Sequence, residues 1–434
     1  MIAKFVDREE EIKAIKEFVS RPNFGLLIIY GRRRVGKTRL IIESLKGLEY
    51  IYYFATESGN IEKFREEVSR TVEEIKHAKP SWESFFHFLK DKIIVIDEFP
   101  NLIKEDKGVI STFQKIIDTE LINTKTKLIL IGSSISMMKS KVLSYSSPLY
   151  GRRTGQIKLR PLRYYYLREF FPNASFRELV EIYGFAGGVP YYLEKVETPF
   201  WEWLDKELKD PKSFIREEGD FILKYEFEEL TTYKKILEAI AKGHTKFGEI
   251  KSFVGKESIT EYLKNLIELE FIERVVPIGS KRGFYRIRDN FLRFWFRYIY
   301  PNLSRIELGI FSAEKIRKDY DRYLGETCEK IAFEFIAEKI KRNELPEVNV
   351  LGKFLHKGKE IDLVGLGEDI GIFCEVKWGK ITEKDIKSII RRLDENSRVF
   401  DLKEKMYIII AREFGKKVKQ ENVLLFDVND LFLL

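Results

Sequence analysis

The feature that most constrains this sequence is a glycine-rich loop between a strand pattern and a helix pattern. Residues 26–30 form an apolar, strand-forming run, and residues 39–45, beginning at Arg39, have helical spacing. The loop between them consists of Gly31, Arg32, Arg33, Arg34, Val35, Gly36, Lys37 and Thr38. The glycines allow backbone N–H groups to point at phosphate oxygens, and the helix start adds a positive dipole. We therefore predict a nucleoside-triphosphate site in which Lys37 reaches the β- and γ-phosphates and Thr38 holds Mg²⁺.

A second motif follows another strand pattern. Residues 93–96 are a continuous apolar run, which is typical of a strand buried on both faces, and Asp97 and Glu98 come directly after it. We expect Asp97 to contact Mg²⁺ through water and Glu98 to polarise the water that attacks the nucleotide. The alternative is an ordinary acidic strand end.

Further strand patterns complete an α/β reading of this region. Residues 50–54 and 128–131 alternate with helical stretches, which predicts a parallel sheet with phosphates at its carboxyl edge. Ser133 and Ser134 follow the last strand, where one of them either hydrogen-bonds the γ-phosphate or the lytic water, or simply caps a helix. A first helix over residues 8–19 precedes the loop strand, so Val6 is expected close to the base.

Composition narrows the class of protein. A chain of 434 residues is long enough for roughly two to four domains. The two cysteines, Cys328 and Cys374, lack CxxC spacing, which argues against a disulfide scaffold or a zinc site. No apolar run reaches the length of a membrane span, no signal peptide is evident, and the Lys-, Glu- and Arg-rich composition suits a thermophile's cytoplasmic protein. The formal charge of +8 is compatible with nucleic acid but does not require it.

The middle of the chain has the pattern of a winged helix–turn–helix. Helical patterns at 233–241, near 246 and at 258–269 precede two strand patterns, 271–278 and 284–287, joined by a basic loop. Candidate DNA contacts are Lys264 and Asn265 for a major groove and Lys281 and Arg282 for phosphates. The alternative is a winged helix that makes intramolecular or protein contacts. Residues 291–298 mix aromatic residues with arginine, and a buried helix is favoured over stacking on bases.

The C-terminal third contains a second group of charged residues. Residues 360–364 and 370–377 are predicted to be adjacent strands joined by a Gly-rich turn. Glu375 and Lys377 lie two apart and share a face, and Asp362 at the end of the first strand can join them. Two carboxylates can bind Mg²⁺, and the lysine can orient water against a phosphodiester. The alternatives are a salt-bridged strand pair and a binding module without cleavage.

Taken together, the motifs resemble an archaeal ATPase family that is similar to the AAA+ and STAND NTPases. The segments FVDRE, GRRRVGKT, VIDE, IGSS, LYGRR and GGVPY occur in that family's order. The resemblance implies ATP rather than GTP. The complete set of Lys37, Thr38, Asp97 and Glu98 leads us to expect slow Mg²⁺-dependent hydrolysis that acts as a conformational switch. The resemblance also implies that Arg152 or Arg153 senses the γ-phosphate, in cis or from a neighbouring subunit. Gly188 and Pro190 match a G-x-P signature on a helical lid, with the proline near the base.

The C-terminal third is similar to the PD-(D/E)xK nuclease superfamily. Asp362, Glu375 and Lys377 match its core motif, and Glu326, on a helix expected to start near residue 324, matches its frequent helical acid. The resemblance implies four parts: a P-loop ATPase core at 1–158, a helical lid at 159–228, a winged helix at 229–301 and a restriction-endonuclease-like α/β domain at 302–434. The implied partners are ATP and ADP, together with DNA, a protein partner or further copies of the chain. An ATP-gated DNA nuclease and a nucleotide-switched scaffold that does not cleave are the alternative functions.

Overall fold

The computed structural model describes residues 5–433 and separates into two compact units. One unit comprises residues 5–162 together with Val189–Tyr191, and the other comprises residues 163–188 and 192–433. None of the helices between residues 5 and 433 is both long and apolar enough to cross a membrane.

The first unit is built on a five-stranded parallel sheet of order β2-β3-β4-β1-β5. Its strands are β1 (Gly25–Tyr30), β2 (Ile51–Phe54), β3 (Ile93–Asp97), β4 (Lys127–Gly132) and β5 (Gly155–Lys158). Its helices are α1 (Glu9–Ser20), α2 (Lys37–Ser44), α3 (Asn60–Val68), α4 (Trp82–His87), α5 (Phe99–Glu105), α6 (Val109–Ile116) and α7 (Ile135–Met137).

The sequence of the central strand β1 is apolar throughout because both faces of the strand are buried. All six of its residues are buried, because successive side chains point into two different cores. Leu26 and Ile28 belong to one hydrophobic cluster, and Leu27 and Ile29 belong to the other. The parallel sheet expected from the sequence is therefore confirmed, and its carboxyl edge gathers the ends of β1, β3 and β4.

The second unit begins with helices and ends with a mixed sheet. Its helices are α8 (Leu167–Phe170), α9 (Phe176–Ala186), α10 (Pro190–Leu193, whose first two residues belong to the first unit), α11 (Phe200–Lys209), α12 (Ile215–Glu226), α13 (Thr231–Ala241), α14 (Phe247–Val254), α15 (Thr260–Glu268), α16 (Asn290–Phe294), α17 (Leu303–Glu307), α18 (Ala313–Lys341), α19 (Glu383–Ser397) and α20 (Val428–Leu431). Its strands are β6 (Ile272–Val275), β7 (Phe284–Ile287), β8 (Val350–His356), β9 (Lys359–Leu366), β10 (Ile370–Ile381), β11 (Glu404–Phe414) and β12 (Val423–Phe426).

The C-terminal sheet has the order β12-β11-β10-β9-β8. Strands β8, β9 and β10 are antiparallel neighbours, whereas β10, β11 and β12 run parallel. The crossover between the parallel strands β10 and β11 is α19, whose Ile386, Ile389 and Leu393 are buried in the core of this sheet. Strands β6 and β7 form a separate antiparallel hairpin.

Several boundaries differ from the sequence prediction. Helix α18 begins at Ala313, eleven residues before the expected start, because Ile316 and Tyr320 are buried and stabilise its first turns. Strand β6 ends at Val275, two residues before Pro277, which cannot donate a ladder hydrogen bond. The aromatic segment after β7 is core, as expected, since Phe291, Trp295 and their aromatic neighbours are buried.

Candidate functional site

The glycine-rich loop between β1 and α2 closes around the Lys37 ammonium. Gly31 cannot be replaced without a shift, because an added Cβ would lie 2.3 Å from the Leu159 carbonyl oxygen. Gly36 has φ +91, a left-handed conformation that glycine adopts without cost. The buried Lys37 Nζ donates hydrogen bonds to the Gly31 and Arg32 carbonyl oxygens, at 3.0 and 2.8 Å. The loop therefore holds a positive charge at the start of a helix.

Thr38 and Asp97 meet beside this loop. Thr38 Oγ1 donates to Asp97 Oδ2 at 2.5 Å, and Tyr52 Oη donates to the same oxygen at 2.9 Å. The other oxygen, Asp97 Oδ1, accepts the Glu98 backbone N–H at 2.8 Å. Burial, and then the Asp97 carboxylate, raise the pKa of Tyr52, so its hydroxyl remains a donor. A hydroxyl and a carboxylate are hard oxygen ligands, and this pair fits Mg²⁺ beside a triphosphate.

Glu98 and Ser133 form a second contact at the same sheet edge. Glu98 has φ +52 at the turn from β3 into α5, and its Oε1 accepts a hydrogen bond from Ser133 Oγ at 2.5 Å. Ser134 caps a helix, which is the alternative role given above for Ser133 and Ser134. Its Oγ accepts the Met137 N–H at the start of α7. Ser133 therefore contacts the carboxylate expected to act on water.

Residues 189–191 lie against the loop in the same compact unit. Pro190 Cγ is 4.0 Å from the position that a Cβ on Gly36 would take. The Arg34 guanidinium carbon lies 3.9 Å from the centroid of the Tyr191 ring, and Arg34 itself has φ +71. Val6 is buried near the start of the described chain. Tyr191 belongs to the GGVPY segment, but no role was predicted for it, and Tyr52 had no motif to single it out in the sequence.

The two candidate arginines lie with other partners. Arg152 makes a bidentate ion pair with Asp118, with Nε–Oδ1 and Nη2–Oδ2 distances of 2.7 Å. This pairing lowers the pKa of Asp118. Arg153 Nη1 donates to Gln156 Oε1 at 2.9 Å. Among the hydrogen bonds and ion pairs of residues 5–433, neither arginine contacts the glycine-rich loop, so this structure does not bring them to the site in cis.

In the C-terminal sheet, the three motif residues lie on neighbouring strands. Lys377 Nζ is 2.6 Å from Glu375 Oε1 on β10, and the same oxygen pairs with Arg392 of α19. Asp362 of β9 accepts the Val376 N–H at 2.9 Å through Oδ2. Within the described part of the chain, no group of three or more His, Cys, Asp or Glu side chains is arranged to hold a metal. An ion here would have two protein carboxylates and would complete its shell with water and phosphate, as Mg²⁺ commonly does.

Glu326 and Glu329, one turn apart on α18, have different surroundings. Glu326 Oε2 pairs with Arg293 Nη1 at 3.0 Å, so Glu326 is tied to α16. Glu329 Oε1 lies 3.4 Å from Lys353 Nζ, and that ammonium also lies 3.8 Å from Asp362 Oδ1. Burial raises the pKa of Glu329. The helical acid on the side of Asp362 is therefore Glu329, which the sequence motif did not indicate.

The four residues predicted to contact DNA differ in their surroundings. Asn265 Nδ2 donates to Tyr233 Oη at 2.8 Å, so its amide holds α15 against α13. Lys264, Lys281 and Arg282 are exposed.

The fold and the first site define a P-loop ATPase. The parallel sheet carries the glycine-rich loop after β1, and the ends of β3 and β4 bring Asp97, Glu98 and Ser133 to the same edge.

Comparisons with known proteins agree with this class. Residues 5–196 match a family model described as an ATPase domain predominantly from Archaea, and residues 295–389 match one described as archaeal and bacterial proteins of unknown function. The uncharacterized protein MJECL04 of Methanocaldococcus jannaschii is 54% identical over 437 residues, covering 98% of this chain and 99% of that protein. The chain therefore belongs to this family of archaeal ATPases.

A solved structure of an archaeal ATPase agrees with this chain at the level of the fold. The Walker-type ATPase of Pyrococcus abyssi has a TM-score of 0.53 and 22% identity, covering 68% of this chain and 96% of that chain. The ORC2 protein of Aeropyrum pernix, in ADPNP and ADP complexes, has a TM-score of 0.45 and 13% identity over 70% of this chain and 96% of that chain. The second similarity is too low to carry an argument.

Proposed function

We propose that this ATPase hydrolyses ATP with Mg²⁺ and that the hydrolysis acts as a conformational switch. The observation that carries the proposal is the contact of Thr38 Oγ1 with Asp97 Oδ2, at 2.5 Å, beside the buried Lys37 ammonium. The groups that would contact the phosphates, the metal and the attacking water therefore lie at one edge of the sheet. This is the edge at which a parallel α/β fold binds its ligands.

Each residue has a distinct role in this proposal. Lys37 exchanges its bonds to loop carbonyls for bonds to phosphate oxygens, and Thr38 and Asp97 hold Mg²⁺, Asp97 through water. The metal, when bound, neutralises charge on the phosphates. Glu98 accepts the proton of the attacking water, and Ser133 orients the Glu98 carboxylate through their hydrogen bond.

The test is phosphate release from ATP at increasing Mg²⁺ concentration, in wild type and in Asp97→Asn. The amide keeps the shape of Asp97 but removes its charge, so we expect activity to require a much higher Mg²⁺ concentration or to disappear. Asp106→Asn, at the far end of α5, is the matched control and is expected to behave as wild type. An unchanged Mg²⁺ requirement in Asp97→Asn contradicts the proposed role.

A second candidate function is metal-dependent phosphodiester cleavage by the C-terminal domain. It is favoured by the pairing of Lys377 with Glu375 on β10, next to Asp362 on β9. Two carboxylates would hold the metal, and Lys377 would hold the attacking water or the phosphate. In this structure Arg392 pairs with Glu375, and Lys353 lies near Asp362. A metal ion would have to displace these two cations from the carboxylates in order to bind.

Plasmid nicking with Mg²⁺ or Mn²⁺ tests this candidate. Wild type should nick and Asp362→Ala should not, whereas Asp369→Ala, an exposed acid in the β9–β10 turn, should nick as wild type does. Equal nicking by wild type and Asp362→Ala would indicate contamination. No nicking by any of them would refute cleavage and favour a domain that binds without cutting.

We further propose that the ATPase cycle is linked to DNA. The support is the three-helix and hairpin arrangement of α13, α14, α15, β6 and β7, which is typical of winged helices, with the exposed Lys281 and Arg282 on its hairpin. Phosphate release should rise when duplex DNA is added. Turnover that ignores DNA would contradict this link and favour a protein partner.

A further inference from the structure

The hairpin of β6 and β7 is joined to the edge of the C-terminal sheet. Ile278 forms a parallel bridge with Phe354 of β8: its N–H donates to the Lys353 carbonyl at 2.7 Å, and its carbonyl accepts the Leu355 N–H at 3.2 Å. One residue further, His356 Nδ1 lies 2.9 Å from the Gly279 carbonyl oxygen. These contacts place the β6–β7 loop beside the turn between β8 and β9.

Basic residues lie in or directly beside both loops. The β6–β7 loop carries Lys281 and Arg282, two and three residues after Gly279. Lys357 lies in the β8–β9 turn, and Lys359 is the first residue of β9. Lys281, Arg282 and Lys357 are exposed and have no ion pair within residues 5–433. Lys359 is partly buried and donates to a backbone carbonyl. We refer to these four residues as the double-hairpin surface.

The two loop segments contribute little acidic charge of their own. In residues 276–283 and 356–360 the single acid is Glu360, and its carboxylate is paired with Lys353 at 2.9 Å. The left-handed φ values of Lys357 (+47) and Gly358 (+80) make a tight turn that keeps Lys357 at its tip. The surface therefore presents a concentrated positive charge from two elements that are far apart in the sequence.

The helix α15, by contrast, is poorly suited to read bases. Its exposed charged residues are Glu261, Lys264 and Glu268, which sum to a negative charge. Asn265 donates its amide to Tyr233, so it is not the free amide that pairs with an adenine edge. Phosphate contacts from the hairpins are thus better supported than base contacts from this helix.

We propose that the double-hairpin surface binds the phosphate backbone of duplex DNA independently of base sequence. The backbone carries regularly spaced charges, and side-by-side cationic loops neutralise them with release of counterions. This proposal rests on the DNA link proposed above and adds to it where the contact is made.

The test is the salt dependence of binding to a fluorescent 30-base-pair duplex, measured by anisotropy with the full chain. One variant removes the β6–β7 charges (Lys281→Gln with Arg282→Gln), and the other removes the β8–β9 charges (Lys357→Gln with Lys359→Gln). The matched control, Lys318→Gln with Arg322→Gln, also removes two positive charges, from exposed positions in the first half of α18.

The expected loss of salt dependence in the variants follows from counterion release. Each phosphate contact contributes about 0.9 to the slope of log K against log salt, so each double variant should lower the slope by up to about 1.8. Between 50 and 200 mM salt, wild-type affinity should then fall about 12-fold more than that of either variant. The control should keep the wild-type slope, and a duplex of different sequence should bind with similar affinity. Phosphate release without DNA should be unchanged in all variants.

Other outcomes separate the two proposals. If wild type binds DNA and neither hairpin variant differs from the control, the double-hairpin surface is refuted but the DNA link survives. If only the β6–β7 variant loses binding, the β8–β9 turn is not part of the surface. If wild type does not bind duplex at 50 mM salt, the DNA link is refuted as well.

Discussion

Replacing Glu98 with glutamine isolates the chemical role of this carboxylate from its structural role. Glutamine has the same shape, and its Oε1 can still accept the Ser133 hydroxyl that now bonds Glu98 Oε1 at 2.5 Å. The contacts that organise Asp97 do not use the Glu98 side chain, because its backbone N–H makes the bond to Asp97 Oδ1. The substitution should therefore leave the phosphate and metal ligands in place and remove only the basic oxygen.

The expected effect is a loss of turnover with little loss of binding. A positioned general base typically contributes roughly 100- to 10,000-fold, which corresponds to about 3–5 kcal/mol of activation free energy. Glu98→Gln should thus lower the rate constant for hydrolysis by at least about 100-fold. ATP affinity should stay within about threefold, since Lys37 and Thr38 are untouched.

Single-turnover phosphate release from ATP measures the rate, and displacement of a fluorescent ATP analogue measures the affinity. Glu66→Gln, on the exposed side of α3, is the matched control and should keep both values. Hydrolysis by Glu98→Gln at the wild-type rate would refute the assignment of Glu98 as the base. An equal loss of affinity and rate would instead indicate a structural role.

Three further perturbations test other parts of the account. Tyr52→Phe removes the hydroxyl that donates to Asp97 Oδ2 at 2.9 Å. Chemical denaturation should therefore show an unfolding free energy lower by about 1.5–3 kcal/mol, and an unchanged midpoint would contradict this. Gly31→Ala places a Cβ 2.3 Å from a carbonyl oxygen, so the loop must shift, and calorimetric titration should show weaker ATP binding; wild-type affinity would refute the tight contact. Burial raises the pKa of Glu334 to about 7 from its ordinary 4.5. The folded chain then holds this proton to a higher pH than the unfolded chain does. The unfolding free energy should therefore fall as pH rises from about 4.5 to 7, by up to about 3 kcal/mol, and Glu334→Gln should flatten the fall. A wild-type profile in Glu334→Gln would contradict this.

Local patterns were sufficient to predict the nucleotide-binding half. The loop around Gly31 and Gly36 needs residues without Cβ atoms for reasons of backbone geometry. The apolar run of β3 ends at the carboxyl edge of the sheet, where Asp97 faces the loop. These constraints act over a few residues, so they are visible in the sequence. The parallel sheet follows from the alternation of strands and helices.

The remaining residues of the two sites depend on packing between distant segments. Tyr52 reaches Asp97 from a neighbouring strand, and Lys353 reaches Asp362 from β8. Neither has a motif of its own. The resemblance to the nuclease superfamily implied Glu326, but the pitch of α18 turns Glu329 towards Lys353 and Asp362 and leaves Glu326 with Arg293. Such pairings cannot be seen before the tertiary contacts are known.

The central claim is that this chain hydrolyses ATP at the loop that holds Lys37. The most direct measurement is steady-state phosphate release from ATP by wild type and Lys37→Ala, each with and without Mg²⁺, with circular dichroism to confirm that both are folded. We expect Mg²⁺-dependent release by wild type and none above background by Lys37→Ala, because the buried Lys37 ammonium lies inside the loop, on the Gly31 and Arg32 carbonyl oxygens. Equal release by the two proteins would contradict the account.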